Sequence, residues 1–130
     1  SIDADPVAGV AILLWTCEPE VPHLLATPFF HAAAAAALDV PVEIYFSSRS
    51  VLLLKPGVAD ALRPNPHNSK TVLDSLREAV EHGAVLLACS DALAAQGLSI
   101  NGLIPECSQR GGSVQFMGRA CDSRWRVLVY

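Results

Sequence analysis

Apolar runs of strand length alternate with segments of helical character along most of this chain. The strand-like runs occupy residues 10–16, 40–46 and 84–88, and helical patterns occupy 22–38 and 69–82. Continuous apolar runs of four to eight residues are typical of fully buried parallel strands, whereas the apolar positions in 69–82 recur with helical spacing. Strands that alternate with helices in this way predict βαβ units, and hence an open parallel sheet with helices over both faces.

Proline and glycine mark the predicted ends of these elements. Pro28 is expected to kink or delay the first helix, while Gly83 and Gly97 are expected to stop the later ones. A short helix is predicted over 91–96, with Ser90 or Asp91 as its N-cap. A further helical pattern lies in the long connection, near residues 58–63.

The C-terminal part of the chain is less regular. Strands are predicted near 113–118 and 125–130, and the second of these alternates enough to be an edge or near-edge strand. Together with the earlier runs they give five strands. With 130 residues, the sequence predicts a single α/β domain over 1–130.

Composition narrows the class of partner. Hydrophobic residues make up 52% of the chain, so surplus apolar surface is expected to be covered in an oligomer. A net charge of −4 without a basic cluster argues against nucleic acid, and no apolar run approaches the roughly 20 residues of a membrane span. Four cysteines without CxxC spacing favour a reducing compartment, so we expect a soluble cytoplasmic protein.

The segment AVLLACSDALAAQGL, residues 84–98, holds the strongest candidate for chemistry. Its apolar strand delivers Cys89 to the point where a helix is predicted to begin. The first N–H groups of a helix lack intrahelical partners and carry partial positive charge, which favours an ionised thiolate. The alternative is that Cys89 is a small buried apolar residue, as most free cysteines are.

The same segment resembles the DsrE/DsrF-like family of small α/β proteins, which includes sulfur-relay subunits. The family pattern is a strand, a cysteine, then Ala-Leu and Gly-Leu or Gly-Ile, and residues 85–98 match it. The first strand with its acidic-proline loop and the segments 43–62 and 112–118 support the likeness. Where many members carry Asp-Gly after the second strand, this chain has SSRS at 47–50.

The resemblance implies a flavodoxin-like five-stranded sheet, assembly into homo-oligomers such as trimers or hexamers, and a persulfide carried on Cys89. If the strand order is 2-1-3-4-5, strands one and three are neighbours, and Cys17 and Cys89 follow their carboxyl ends and face each other. Cys17 is then a resolving or sulfur-accepting partner; the alternative is an unreactive loop thiol. Arg49 is a candidate to pair with an anionic sulfur species, or else simply faces solvent.

Other chemistries find little support in the sequence. Cys107 and Cys121 are interpreted as structural or incidental, and the four histidines show no spacing typical of metal ligands, so no metal is expected. No glycine-rich phosphate loop follows the first strand, and no cofactor is expected.

Three functions therefore remain open. The first is sulfur trafficking, in which Cys89 takes a sulfane sulfur from a donor protein and passes it to an acceptor protein, helped by main-chain N–H groups near Ser90 and Asp91. The second is a non-catalytic oligomeric module that binds a small molecule or a protein. The third is a thiol peroxidase or disulfide reductase that uses Cys89 and Cys17.

Overall fold

A computed structural model describes residues 6–130, which form a five-stranded parallel sheet with helices on both faces. The strands are β1 (Gly9–Leu14), β2 (Val42–Phe46), β3 (Val85–Ala88), β4 (Gln109–Arg110) and β5 (Trp125–Val129). The helices are α1 (Thr27–Ala37), α2 (Val72–Glu81), α3 (Ser90–Ala95) and α4 (Ser113–Ala120). The α/β class predicted from the sequence is confirmed.

The strand order is β4-β3-β2-β1-β5, with every neighbouring pair parallel. The predicted order 2-1-3-4-5 is wrong, because β2 lies between β1 and β3. Buried parallel strands are apolar on both faces, so their sequences contain little information about which strand lies beside which. The prediction that the last strand lies at an edge is confirmed.

The two faces of the sheet are covered unequally. On the first face, α1, α2 and α3 enclose the larger core, with Ile12, Ile44 and Leu86 among its buried strand residues. On the second face, a smaller cluster of Ala11, Tyr45 and Leu87 packs against side chains that include Phe116 of α4. The short helix α4 thus provides the helical cover that the described chain gives to this face.

Most of the predicted helix boundaries are correct. Pro28 lies in the first turn of α1, which begins only at Thr27 after a separate 3₁₀ helix at Pro22–Leu24, so the delayed start is confirmed. Gly83 and Gly97 have φ values of 115° and 69° just beyond α2 and α3, where glycine adopts the left-handed conformation easily. The long connection forms 3₁₀ helices at Ser48–Leu54 and Ala59–Ala61.

Two local predictions are wrong. Residues 113–118 belong to helix α4 and not to a strand, since only the helical spacing lets Phe116 and Arg119 both reach the sheet. A six-residue segment with few apolar positions does not distinguish the two periods. The N-cap of α3 is Cys89 itself, and Ser90 is the first residue of the helix.

Candidate functional site

Cys89 is held between the sheet and a helix by its own main chain. Its N–H donates to the carbonyl of Phe46 at 3.0 Å, and its carbonyl accepts from Leu93 N–H at 2.9 Å. The residue is half-buried, and its Sγ makes no hydrogen bond within residues 6–130. The backbone therefore fixes the position of a thiol that keeps its reactive atom free.

Two cavities meet at Cys89. A cavity of about 330 Å³ lies between the sheet and α4, and one of about 580 Å³ lies beside the first turns of α3 and α4. Both are lined by Cys89 and by the segment Gly111–Ser113. The thiol is thus reachable from two sides that differ in chemistry.

The larger of these cavities has the more polar lining of the two. Ser90 and Asp91, predicted as candidates from the sequence, both line it together with Cys89. Arg110 and Gln115 contribute further polar side chains. The structure therefore places two of the predicted site residues next to the candidate thiol.

The segment Gly111–Ser113 is part of the site that the sequence did not predict. Gly111 N–H donates to the carbonyl of Ala88 at 3.0 Å, one residue before Cys89. A Cβ on Gly111 would lie 3.0 Å from Cβ of Leu87, closer than ordinary van der Waals contact, so a larger residue here would require Leu87 to shift by a few tenths of an ångström. The paired glycines directly before Ser113 were the available signal, and the wrong strand prediction for 113–118 hid it.

Cys17 differs from Cys89 both in its position and in its burial. It is not among the residues that line either cavity at Cys89, and its side chain is 3% exposed. Burial raises the pKa of Cys17 to about 11, which disfavours the thiolate at neutral pH. The predicted pairing of the two thiols requires β1 and β3 to be neighbours, but β2 lies between them.

Arg49 is held by the acidic-proline loop. Its Nε donates to Oε2 of Glu18 at 3.1 Å, and its Nη2 donates to Glu20. It does not line either cavity at Cys89. The guanidinium therefore has carboxylate partners of its own, which compete with any anionic sulfur species.

The remaining cysteines differ in accessibility. Cys107 is buried, its Sγ lies 3.6 Å from the carbonyl oxygen of Leu86, and burial raises its pKa. Cys121 is exposed at the end of α4. Among residues 6–130, no three His, Cys, Asp or Glu side chains group to hold a metal ion.

A polar cluster joins α4 to the second face of the sheet. Arg119 donates from Nε and Nη2 to the two carboxylate oxygens of Glu43, both at 2.9 Å, and Tyr45 Oη donates to Glu43 Oε1 at 2.7 Å. The guanidinium also lies 4.2 Å from the ring centroid of Trp125. These contacts hold in place α4, the helix that covers the cavity of about 330 Å³.

The Glu43 carboxylate is the acidic centre of that cluster. Burial opposes its ionisation, but the hydrogen bonds from Arg119 and Tyr45 outweigh burial and hold the pKa of Glu43 below its ordinary value. Burial, followed by the hydrogen bond to Glu43, raises the pKa of Tyr45 to about 12. Tyr45 thus remains a neutral donor at all ordinary pH values.

Acid is expected to weaken the attachment of α4. A carboxyl whose pKa is depressed in the folded state stabilises that state above its unfolded pKa, and this stabilisation is lost as pH falls through the folded value. Glu43→Gln should therefore lower the free energy of unfolding by about 1 kcal/mol at pH 7 and reduce the further loss between about pH 5 and pH 3.

Urea titrations at several pH values, followed by tryptophan fluorescence, measure both effects. Glu20→Gln is the matched control, since it removes a carboxylate from the exposed ion pair with Arg49 and should cost less than about 0.5 kcal/mol. Equal acid sensitivity in the wild type and in Glu43→Gln would show that Glu43 does not stabilise the folded state as described.

The comparisons with known proteins agree with this geometry. The model of the DsrE/DsrF-like family matches residues 13–128. The ychN protein from E. coli has a solved structure that aligns with a TM-score of 0.72 at 14% identity, covering 94% of this chain and 99% of that chain. MTH1491, a protein of unknown function from Methanobacterium thermoautotrophicum, aligns with a TM-score of 0.64 at 17% identity, covering 93% and 97%.

The family match and the structural likenesses carry different weight. Identities of 14% and 17% establish a shared fold and nothing finer. No curated protein sequence is significantly similar to this chain. No helix within residues 6–130 is long and apolar enough to cross a membrane.

The family match, unlike the structural likenesses, covers most of the chain at the level of sequence and includes Cys89. The chain belongs to the DsrE/DsrF-like family.

Proposed function

We propose that this protein carries sulfur as a persulfide on Cys89 and transfers it between partners. The observation that supports this most strongly is the placement of a half-buried thiol at the start of α3, where two cavities meet. Membership of the DsrE/DsrF-like family, which matches across that segment, adds to it. No resident cofactor is needed for the chemistry.

The transfer consists of two thiol–persulfide exchanges. The Cys89 thiolate attacks the outer sulfur of a donor persulfide, a new S–S bond forms, and the donor's own S–S bond breaks. The electron pair of that bond leaves with the donor thiolate, which takes up a proton. An acceptor thiolate then attacks the outer sulfur on Cys89 and regenerates the Cys89 thiolate, so no external oxidant or reductant is consumed.

Main-chain hydrogen-bond donors lie close to Cys89. Main-chain N–H groups of Ser90 and Asp91 lie in the first turn of α3, where they lack intrahelical acceptors. The α4 start brings Gly112 and Ser113 to the same cavity. Arg49 is a weaker candidate, since it would first have to leave its carboxylate partners.

The proposed partners are a donor protein, an acceptor protein and further copies of this chain. The edge strand β5 exposes Val127, Leu128 and Val129. An exposed apolar edge strand is a surface that proteins usually cover, which supports a homo-oligomer such as a trimer or hexamer. Four free cysteines support a reducing, cytoplasmic location.

One observation favours a second candidate function. The cavity of about 330 Å³ is large enough for a small organic ligand and has no charged lining residue. A non-catalytic binding module would use this cavity without the thiol. Under that hypothesis Cys89→Ser retains its affinity for ligand or partner and has no sulfur-transfer activity to lose.

A two-step transfer assay tests the proposal. A small-molecule persulfide donor labelled with ³⁴S is mixed with the protein and an acceptor thiol, and transfer of the label is followed by mass spectrometry. The wild type and Cys121→Ser are expected to accelerate transfer equally, whereas Cys89→Ser should give only the uncatalysed rate. Cys121→Ser is the matched control because Cys121 is an exposed thiol outside both cavities. Unchanged acceleration by Cys89→Ser would reject the proposal.

A further inference from the structure

The cavity between the sheet and α4 has an uncharged and largely apolar lining. Eleven residues line its volume of about 330 Å³, and none of them carries a charge. Its walls are mainly aromatic and aliphatic, formed by Leu13, Trp15, Tyr45, Phe46, Phe116 and Met117. Cys89 contributes the only thiol among these eleven residues. An apolar chamber thus opens onto one potential reaction centre.

The cavity walls are held by contacts among the lining residues and with their neighbours in the sheet. The ring of Phe116 meets that of Tyr45 edge-on at 5.3 Å between centroids, and Tyr45 Oη is engaged by Glu43. The Ser47 hydroxyl donates to the carbonyl of Leu14 at 2.7 Å. The hydroxyl groups of Tyr45 and Ser47 are therefore satisfied by the protein, and a ligand meets mainly carbon surface.

We propose that this cavity binds the uncharged apolar body of a low-molecular-weight thiol or its persulfide and holds the ligand's sulfur against Cys89. The inference rests on the proposed sulfur transfer and specifies a substrate class for it. Cavities of about 150 Å³ lined by aliphatic and aromatic side chains bind benzene, so about 330 Å³ accommodates an aromatic ring with a short thiol-bearing chain.

The distribution of charged residues around Cys89 favours apolar thiols over polar thiols in the first cavity. Placing a carboxylate or an ammonium group in the apolar cavity would strip its hydration without supplying a partner, which costs several kcal/mol or more. The second cavity at Cys89 offers Asp91 and Arg110 and suits polar or charged groups. A neutral aromatic thiol is thus favoured in the first cavity, and a charged peptide thiol such as glutathione is excluded from it.

The reaction is the exchange already described, with the small molecule as donor. The Cys89 thiolate bonds to the outer sulfur of the bound persulfide, the S–S bond of the ligand breaks, and the ligand leaves as a thiolate that takes up a proton. Loading requires no further reactant. The apolar body remains in the cavity until it dissociates.

Binding can be measured without any sulfur transfer. Met117 is the only methionine of the chain, so ¹³C-methyl labelling gives a single methyl NMR signal from a side chain that lines the cavity. Benzyl methyl sulfide, which cannot transfer sulfur, is expected to shift this signal saturably with a Kd of about 1 mM or below. S-methylglutathione is the matched polar probe and should leave the signal unchanged. An unchanged signal with both probes would overturn the inference.

Loading rates test the same inference through chemistry. Benzyl hydropersulfide is expected to add sulfur to Cys89 at least 10-fold faster than glutathione persulfide at equal concentration. Met117→Trp, which adds bulk to the cavity wall, should remove this advantage and leave the glutathione persulfide rate within twofold. Ala120→Trp places the same bulk on an exposed position of α4 outside the cavity and should change neither rate.

The outcomes separate the two proposals. Saturable binding of benzyl methyl sulfide with no loading of Cys89 by either donor would support the cavity and reject sulfur transfer. Equal loading by both donors, unaffected by Met117→Trp, would support sulfur transfer and reject the apolar substrate. Polar and apolar donors are thereby distinguished on the same protein.

Discussion

Cys17 is expected to react with iodoacetamide at least 100-fold more slowly than Cys121 in the native protein at pH 7.5. Burial raises the pKa of Cys17 to about 11, against 9.0 for an unperturbed thiol, so the reactive thiolate is about 100-fold rarer. The side chain is also 3% exposed, whereas Cys121 is exposed. Timed alkylation followed by peptide mass spectrometry gives the rate at each cysteine.

Unfolding the protein in urea provides the control for this experiment. All four cysteines should then react at similar rates, because burial is lost. Native-state labelling of Cys17 within 10-fold of Cys121 would contradict its described burial. Slow labelling would favour Cys89 as the thiol that acts alone in each chain.

Gly9→Ala is expected to lower the free energy of unfolding by about 2 kcal/mol, an overpacking effect. A Cβ on Gly9 would overlap three ring atoms of Trp125, its partner across the β1–β5 pair. The indole must then move, and it loses its stacking on Arg119, which holds α4 to the sheet. Urea unfolding followed by circular dichroism measures the change.

Gly118→Ala is the matched control and should act in the opposite direction. Gly118 lies inside α4, and a Cβ there meets no atom within 4 Å. Alanine in a helix interior is favoured over glycine, so a gain of about 0.5–1 kcal/mol is expected. Equal stability of Gly9→Ala and the wild type would show that Trp125 does not pack on Gly9.

Much of the fold was predictable because local patterns determine it. The apolar runs gave β1, β2 and β3, and Gly83 and Gly97 gave the ends of α2 and α3. The strand order was not predictable in this way, because pairing depends on long-range packing that fully apolar strands do not encode. The prediction that Cys17 faces Cys89 depended on that order.

One part of the candidate site is likewise local in sequence, and the rest is brought together by the fold. Cys89, Ser90 and Asp91 belong to one local strand–helix junction, which the sequence displays directly. The segment Gly111–Ser113 reaches Cys89 only because β4 lies beside β3 in the sheet. The apolar cavity combines side chains from β1, β2 and α4, so it exists only in the folded chain.

Sulfur transfer as proposed requires Cys89 to carry a sulfane sulfur, and mass spectrometry shows which cysteine gains one. The native protein is incubated with a persulfide donor and analysed by intact-mass and peptide mass spectrometry without reduction. We predict a single addition of about 32 Da, the mass of one sulfur atom, located on Cys89 and formed faster than on Cys17, Cys107 or Cys121. An addition distributed over several cysteines, or none on Cys89, would contradict the claim.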